Sequence, residues 1–115
     1  MIGISEEQDL LRVHVLGEFT VDDFREFENA VAGELEANPK IRLLMDLSNM
    51  SGFTVDMAWE DIKFTRKHSQ DFRRIAIVSS TEWTSWLGWI TGAFTDAEME
   101  IFDDLGEAEG WLATA

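Results

Sequence analysis

The sequence contains no cysteine. This absence excludes disulfides, thiolate nucleophiles, iron–sulfur ligation and cysteine zinc sites, and it removes any sign of an oxidising compartment. Residues 1–7 have no basic region followed by an apolar run, so they do not predict a signal peptide or a transit peptide. We therefore expect a cytoplasmic protein.

Basic residues are scarce. The sequence has nine lysines and arginines but 23 aspartates and glutamates, and the formal net charge is −14 at pH 7. A negative field of this size repels phosphate backbones and anionic lipid at long range, so we expect no nucleic-acid partner. The same charge also favours solubility.

The familiar catalytic signatures are missing as well. The sequence has no G-x-x-x-x-G-K, G-x-G-x-x-G, G-x-S-x-G or H-E-x-x-H motif. Its two histidines, His14 and His68, fall on different predicted elements without a paired carboxylate motif, so no metal site or cofactor is expected. An enzyme would have to use Asp61 and His68 as acid and base, and we expect a non-enzymatic protein.

The periodicity of the chain predicts a single α/β domain over residues 1–115. Strands are expected at residues 2–4, 10–17, 41–47, 74–79 and 97–102, the first two joined by a polar turn as a hairpin. Residues 41–47 and 74–79 are nearly continuous in apolar side chains, which is typical of strands buried on both faces. Residues 48–53 are expected to form a loop.

Helices are predicted where a capping residue precedes apolar residues at helical spacing. The four predicted caps are Thr20, Thr54, Thr81 and Asp103 or Asp104. The first helix ends before Pro39 and the second near His68. The order β-β-α-β-α-β-α-β-α predicts a mixed, mostly parallel five-stranded sheet with four helices and an antiparallel first strand.

The third helix is unusually apolar. Its two stripes consist of Trp83, Leu87, Ile90 and Phe94, and of Trp86, Trp89 and Ala93. A sheet buries one stripe, and the segment is too short to span a bilayer. The other stripe would meet a ligand, a membrane interface or another subunit, unless both stripes form one wide core contact.

The second helix carries a different set of side chains. Its core contact is expected from Val55, Ala58, Trp59 and Ile62. Met57, Asp61, Phe64 and His68 share another face. Asp61 and His68 would hold a polar ligand group between them, or Asp61 would orient Lys63, or the face is simply solvated with local ion pairs.

Five features together resemble the SpoIIAA-like family of bacterial STAS-type domains. They are the element order, the segment DLSNMSGFT of residues 46–54, Trp59-x-Asp61-x-Lys63, RIAIV of residues 74–78 with Trp83 behind it, and the terminal Trp111-Leu112. The resemblance covers nearly the whole chain. It implies a SpoIIAA-like fold, related in shape to the lipid-carrying Sec14 domain.

The resemblance also implies a function. Members of the family are regarded as carriers of small apolar or amphipathic ligands or as membrane-associating proteins. The tryptophan helix would then be a lid over an apolar pocket and a contact for a membrane or a second copy in a homodimer. Its ligand-binding residues would be Trp59, Asp61, Lys63, Phe64, His68, Trp83, Trp86, Trp89 and Phe94.

The alternative reading is a regulatory protein-interaction module. Anti-sigma factor antagonists of this fold carry a phosphorylated serine in an Asp-Ser-Ser-Gly-type turn at the start of the second helix. Here the region reads MSGFTVD over residues 50–56, which breaks the pattern. Ser51 and Thr54 remain as phospho-acceptor candidates near a helix N-terminus, where phosphate is electrostatically favoured.

Overall fold

The computed structural model describes residues 1–68, 70–79 and 98–114. These residues form five strands and three helices. Their bounds are β1 Ile2–Glu7, β2 Leu10–Phe19, α1 Val21–Ala37, β3 Ile41–Phe53, α2 Val55–Lys67, β4 Phe72–Val78, β5 Glu98–Phe102 and α3 Leu105–Ala113. The helix expected to open at Thr81 lies outside the described residues.

The five strands form one sheet in the order β1-β2-β3-β4-β5. β1 pairs antiparallel with β2, whereas β2, β3, β4 and β5 pair in parallel. The predicted mixed, mostly parallel sheet and the opening hairpin are therefore confirmed. Because the parallel strands share one direction, the end of β2, the end of β3 and the starts of the helices that follow them meet at one edge of the sheet.

Both faces of the central strands are buried. Leu43 packs with the side chains of α1 and α2, while its neighbour Leu44 belongs to a separate cluster with Ala108 and Leu112 of α3. Successive side chains of a strand point to opposite faces, so α1 and α2 cover one face and α3 covers part of the other. This explains why β3 and β4 read as nearly continuous apolar runs.

α1 begins with a reciprocal cap. The Asp23 N–H donates to Thr20 Oγ1 at 3.2 Å, and the Thr20 N–H donates to Asp23 Oδ2 at 3.2 Å. The sequence places Val21, Phe24, Phe27, Val31 and Leu35 on one helical stripe, and Phe24, Phe27 and Val31 of this stripe are buried. The next position on this face is Glu34, a buried carboxyl that the apolar pattern did not predict.

Two arginines of the sheet hold the end of α3. Arg42 Nη1 donates to the Leu112 carbonyl at 2.9 Å, and Arg74 Nη1 donates to the Trp111 carbonyl at 2.7 Å. The last carbonyls of a helix have no donors within the helix, so these arginines satisfy two of them. They place α3 across β3 and β4.

The prediction of a loop at residues 48–53 is wrong, because β3 continues to Phe53. The extension pairs in parallel with β2 as far as Phe19 opposite Phe53, with register shifts between His14 and Leu16 and between Gly17 and Glu18. Each shift inserts one extra residue into β3, as a β-bulge does. The bulges let a segment rich in serine, asparagine and glycine stay in the sheet.

Candidate functional site

The tryptophan helix supplied most of the predicted ligand-binding residues. Trp83, Trp86, Trp89 and Phe94 all lie outside the described residues. The lid over an apolar pocket therefore stays a prediction. Among the residues that the structure describes, no helix is long and apolar enough to cross a membrane.

The polar edge predicted for that pocket falls on α2. Trp59 and Asp61 lie in this helix, but their side chains are outside the description. Lys63 is exposed, and its Nζ lies 3.4 Å from Glu60 Oε1. Exposed pairs of this kind contribute little to stability, and this one is compatible with an ordinary helix surface.

Phe64 lies in the hydrophobic core. Its ring centroid lies 5.5 Å from that of Phe24, 5.0 Å from that of Phe27 and 6.1 Å from that of Phe72. With 6% of its surface exposed, it joins α1, α2 and β4. Together with the buried Met57, Phe64 provides the core contact of α2 among the side chains that the structure describes.

His68 ends α2 and bonds to a residue that the sequence analysis did not select. Its Nδ1 donates to Asp71 Oδ2 at 2.7 Å, and its ring packs on Phe64 at a centroid distance of 4.5 Å. The predicted partner of His68 was Asp61, two turns earlier in the helix. Asp71 lies three residues after His68, in the turn before β4. Because this turn is outside the helix, helical spacing did not predict the contact between the two residues.

The two phospho-acceptor candidates lie in or next to the end of β3. We call residues 48–54 the junction segment; they comprise the end of β3 and the N-cap of α2 at the carboxyl edge of the sheet. Ser51 occupies the second bulge, opposite the step from Gly17 to Glu18, and its side chain is exposed. No hydrogen bond joins its hydroxyl to any residue that the structure describes.

Thr54 stabilises the start of α2. It is the N-cap of α2, and its Oγ1 accepts from the Met57 N–H at 3.3 Å. Its own N–H donates to the Phe19 carbonyl at 3.2 Å, so the start of α2 is tied to the end of β2. α1 begins one residue after Thr20, and the N-termini of both helices therefore meet at this edge.

Asp56 in the first turn of α2 is held in its charged form. A hydrogen bond from the Thr54 hydroxyl is the largest cause that lowers its pKa below the ordinary value. Slight desolvation opposes the shift, and the Met57 N–H and the charge of Arg25 on α1 add to it. A fixed negative charge therefore lies beside Thr54, complementing the positive end of the helix.

The chemistry of this edge is that of recognition. Exposed Glu18, Asp22 and Asp56 surround two helix N-termini whose caps are occupied by threonines. Within residues 1–68, 70–79 and 98–114, no group of three or more histidine or carboxylate side chains is arranged to hold a metal ion. This edge therefore presents negative charge and the exposed Ser51 side chain at the surface.

Comparison with known proteins adds a family and a fold. The profile of the SpoIIAA-like family matches residues 10–113. A similar solved structure is an uncharacterised protein of the DUF3478 family with a SpoIIAA-like fold from Shewanella loihica PV-4. It is 30% identical with a TM-score of 0.77, and the match covers 97% of this chain and 92% of that chain.

Two anti-sigma factor antagonists share the fold at lower identity. The one from Mycobacterium paratuberculosis is 16% identical, with a TM-score of 0.62 over 98% of this chain and 93% of its own length. SpoIIAA in its unphosphorylated form is 9% identical, with a TM-score of 0.63 over 99% of this chain and 97% of its own. The search of curated proteins gives no match.

Proposed function

This chain belongs to the SpoIIAA-like family, and we propose that it is a regulatory protein-interaction module whose partner binds the junction segment, residues 48–54. The observation that carries the proposal is Ser51, an exposed hydroxyl on a β-bulge three residues before the N-cap of α2. Two proteins of the same fold are named as antagonists of anti-sigma factors, and one of them is described in its unphosphorylated form.

Ser51 suits a phospho-acceptor better than Thr54. A kinase needs an accessible hydroxyl, and the Ser51 side chain is exposed. The Thr54 hydroxyl is engaged with the Met57 N–H and with the Asp56 carboxylate, so its phosphorylation would remove the helix cap and bring two negative groups together. We therefore assign Ser51 as the switch and Thr54 as the cap.

The residues around Ser51 indicate what kind of partner would bind there. Glu18 pairs with Gly52, directly beside Ser51, and Asp56 follows in the first turn of α2. A partner that binds this negative surface would present basic groups. A phosphate on Ser51 would add about two negative charges to this surface. These charges would change its electrostatic complementarity to the partner.

The first experiment measures partner capture. Immobilised wild type, Ser51→Ala, Ser51→Asp and Asn29→Asp are incubated with lysate of the source cells, and the bound proteins are quantified by mass spectrometry. We expect a protein that binds wild type and Ser51→Ala equally and Ser51→Asp at least ten-fold more tightly, because the added negative charge attracts the basic groups of the partner. Asn29→Asp introduces the same charge at an exposed position of α1 and should bind as wild type does.

A second measurement addresses the modification itself. Protein purified from its own cells is analysed by intact mass and by fragmentation. We expect a fraction that carries one phosphate group on Ser51. A phosphate found on Thr54 instead, or capture that does not distinguish Ser51→Asp from Asn29→Asp, would contradict the assignment.

A further inference from the structure

A groove lies on the face of the sheet that α3 partly covers, and Ser51 is not among the residues that line it. Its volume is about 290 Å³. Among the residues that line it are Gly3, Ser5, Arg12, His14, Asp46 and Leu105. The register brings them together, because Gly3 pairs with His14, Ser5 with Arg12, and His14 with Asp46. Gly3 has no side chain and Ser5 a small one, so β1 leaves the groove open beside α3.

Asp46 lines this groove and has one carboxylate oxygen that lacks a donor within the described part of the chain. Its side chain is only 14% exposed. Oδ1 accepts from the Ser48 N–H at 3.0 Å and from Ser48 Oγ at 2.6 Å. Oδ2 lies 3.8 Å from His14 Nε2, beyond hydrogen-bond distance, and receives no hydrogen bond from the described residues. A carboxylate oxygen that lacks a donor, on a side chain that is mostly buried, is a strong acceptor.

The other charged groups of the groove do not neutralise Asp46. The Asn49 amide donates to His14 Nε2 at 2.9 Å, so the ring nitrogen nearest to Asp46 already has a hydrogen-bond partner. Arg12 is balanced by carboxylates on both sides, since its Nη1 donates to Glu109 Oε1 at 2.8 Å and its Nε lies 3.3 Å from Glu7 Oε1. The groove is therefore negative.

We propose that this groove binds a primary ammonium group, which donates to Asp46 Oδ2 while its alkyl stem lies against Leu44 and the exposed Leu105. An ammonium group has three donors and a full positive charge, which matches an unfilled carboxylate oxygen. The ammonium belongs either to a free alkylamine or to a lysine side chain of a partner. This proposal does not depend on the phospho-switch.

The test is an NMR titration of ¹⁵N-labelled protein with n-butylammonium chloride at about 0.15 M salt, where exposed charges are screened. We expect saturable shifts of amides in β1, around His14 and around Asp46. The neutral n-butanol and the anionic butyrate should produce none of them. A parallel titration with the peptide acetyl-Ala-Lys-Ala-amide separates the sources: tighter binding than the free amine indicates a partner's lysine, and weaker binding indicates a small amine.

Three variants complete the design. Asp46→Asn keeps an oxygen that accepts from Ser48 but removes the charge, and should weaken n-butylammonium binding at least ten-fold. Gly3→Leu fills the groove and leaves Asp46 intact; a Cβ at Gly3 would have its nearest neighbour, the His14 carbonyl oxygen, at 4.0 Å. Glu26→Gln removes an exposed carboxylate on α1 and should bind as wild type does.

Three results would overturn the proposal. They are the absence of saturable shifts in wild type, equal binding to Asp46→Asn and Glu26→Gln, and equal shifts with n-butanol, which would mean that the groove recognises the alkyl chain alone. Retained binding in Gly3→Leu, with the folded spectrum preserved, would place the site elsewhere. None of these results bears on partner capture at Ser51.

Discussion

Arg42 on β3 donates a hydrogen bond from Nη1 to the carbonyl oxygen of Leu112, at 2.9 Å, in the last turn of α3. This turn has no basic residue of its own. Cations at a helix C-terminus complement the helix dipole, and here the sheet supplies them. Arg74 does the same from β4, with its guanidinium 4.6 Å from the centroid of the Trp111 ring.

Replacing Arg42 by methionine should therefore destabilise the fold by about 2 kcal/mol, the scale of a hydrogen bond from a charged group plus a broken, largely buried ion pair. The Arg42 side chain is 16% exposed and also bonds Asp9 through Nη2 at 2.7 Å. Urea denaturation followed by far-ultraviolet circular dichroism measures the loss. The same change at Arg25, 68% exposed, should cost less than about 0.5 kcal/mol; equal losses would mean that Arg42 does not anchor α3.

The two hydroxyls of the junction segment should behave differently when removed. Thr54→Ala deletes the acceptor for the Met57 N–H and should lower the free energy of unfolding by about 1 kcal/mol. Ser51→Ala removes an exposed hydroxyl and should change it by less than about 0.5 kcal/mol. Thermal denaturation of both variants decides this, and Thr54→Ser, which keeps the cap, should restore stability. A costly Ser51→Ala would show a structural role for Ser51.

The order of the described elements and the directions of the strands followed from local physics. Thr20, Thr54 and Asp104 cap the helices that they were predicted to cap, because a short oxygen side chain before an apolar stripe satisfies the first N–H groups of a helix. The extension of β3 did not follow. Residues 48–53 resemble a loop in composition, and only pairing with β2, a tertiary contact, keeps them in the sheet.

The site was harder to predict than the fold, because α2 offers two apolar stripes. Phe64 was assigned to the ligand site and left out of the expected core contact, yet it packs against Phe24 and Phe27 of α1. Which stripe faces the core depends on how α1 and α2 are placed relative to each other, and spacing within one helix does not contain that information. The groove beside Asp46 was missed for the same reason, since three strands build it.

The position of Phe64 leads to a direct prediction. Phe64→Ala should destabilise the protein by about 3–5 kcal/mol, because it removes a buried ring that joins two helices and the sheet. Phe64→Leu retains most of the volume and should cost less. Urea denaturation measures both. A loss below about 1 kcal/mol for Phe64→Ala would return Phe64 to the ligand edge where the sequence analysis placed it.

The buried carboxyl of Glu34 gives the fold a dependence on pH. Burial is the largest cause that raises its pKa above the ordinary value, and the neighbouring Glu6 carboxyl raises it further. A hydrogen bond from Asn38 Nδ2, at 3.4 Å, opposes the shift. A raised pKa in the folded state means that folding favours the protonated form. The stability from Glu34 is therefore complete below the pKa of glutamate in the unfolded chain and is lost as pH rises through the folded value.

Glu34→Gln should accordingly stabilise the protein at pH 7 by about 1 kcal/mol, because the amide mimics the protonated acid and donates to the Glu6 carboxylate. The gain should disappear near pH 4, where wild-type Glu34 holds its proton, so melting temperatures of both proteins are compared at the two values. Glu36→Gln removes the same charge from an exposed position of α1 and should show no such pH dependence. If Glu34→Gln lowers the melting temperature at pH 7, then Glu34 is ionised in the folded protein and its negative charge is stabilised by groups other than Glu6.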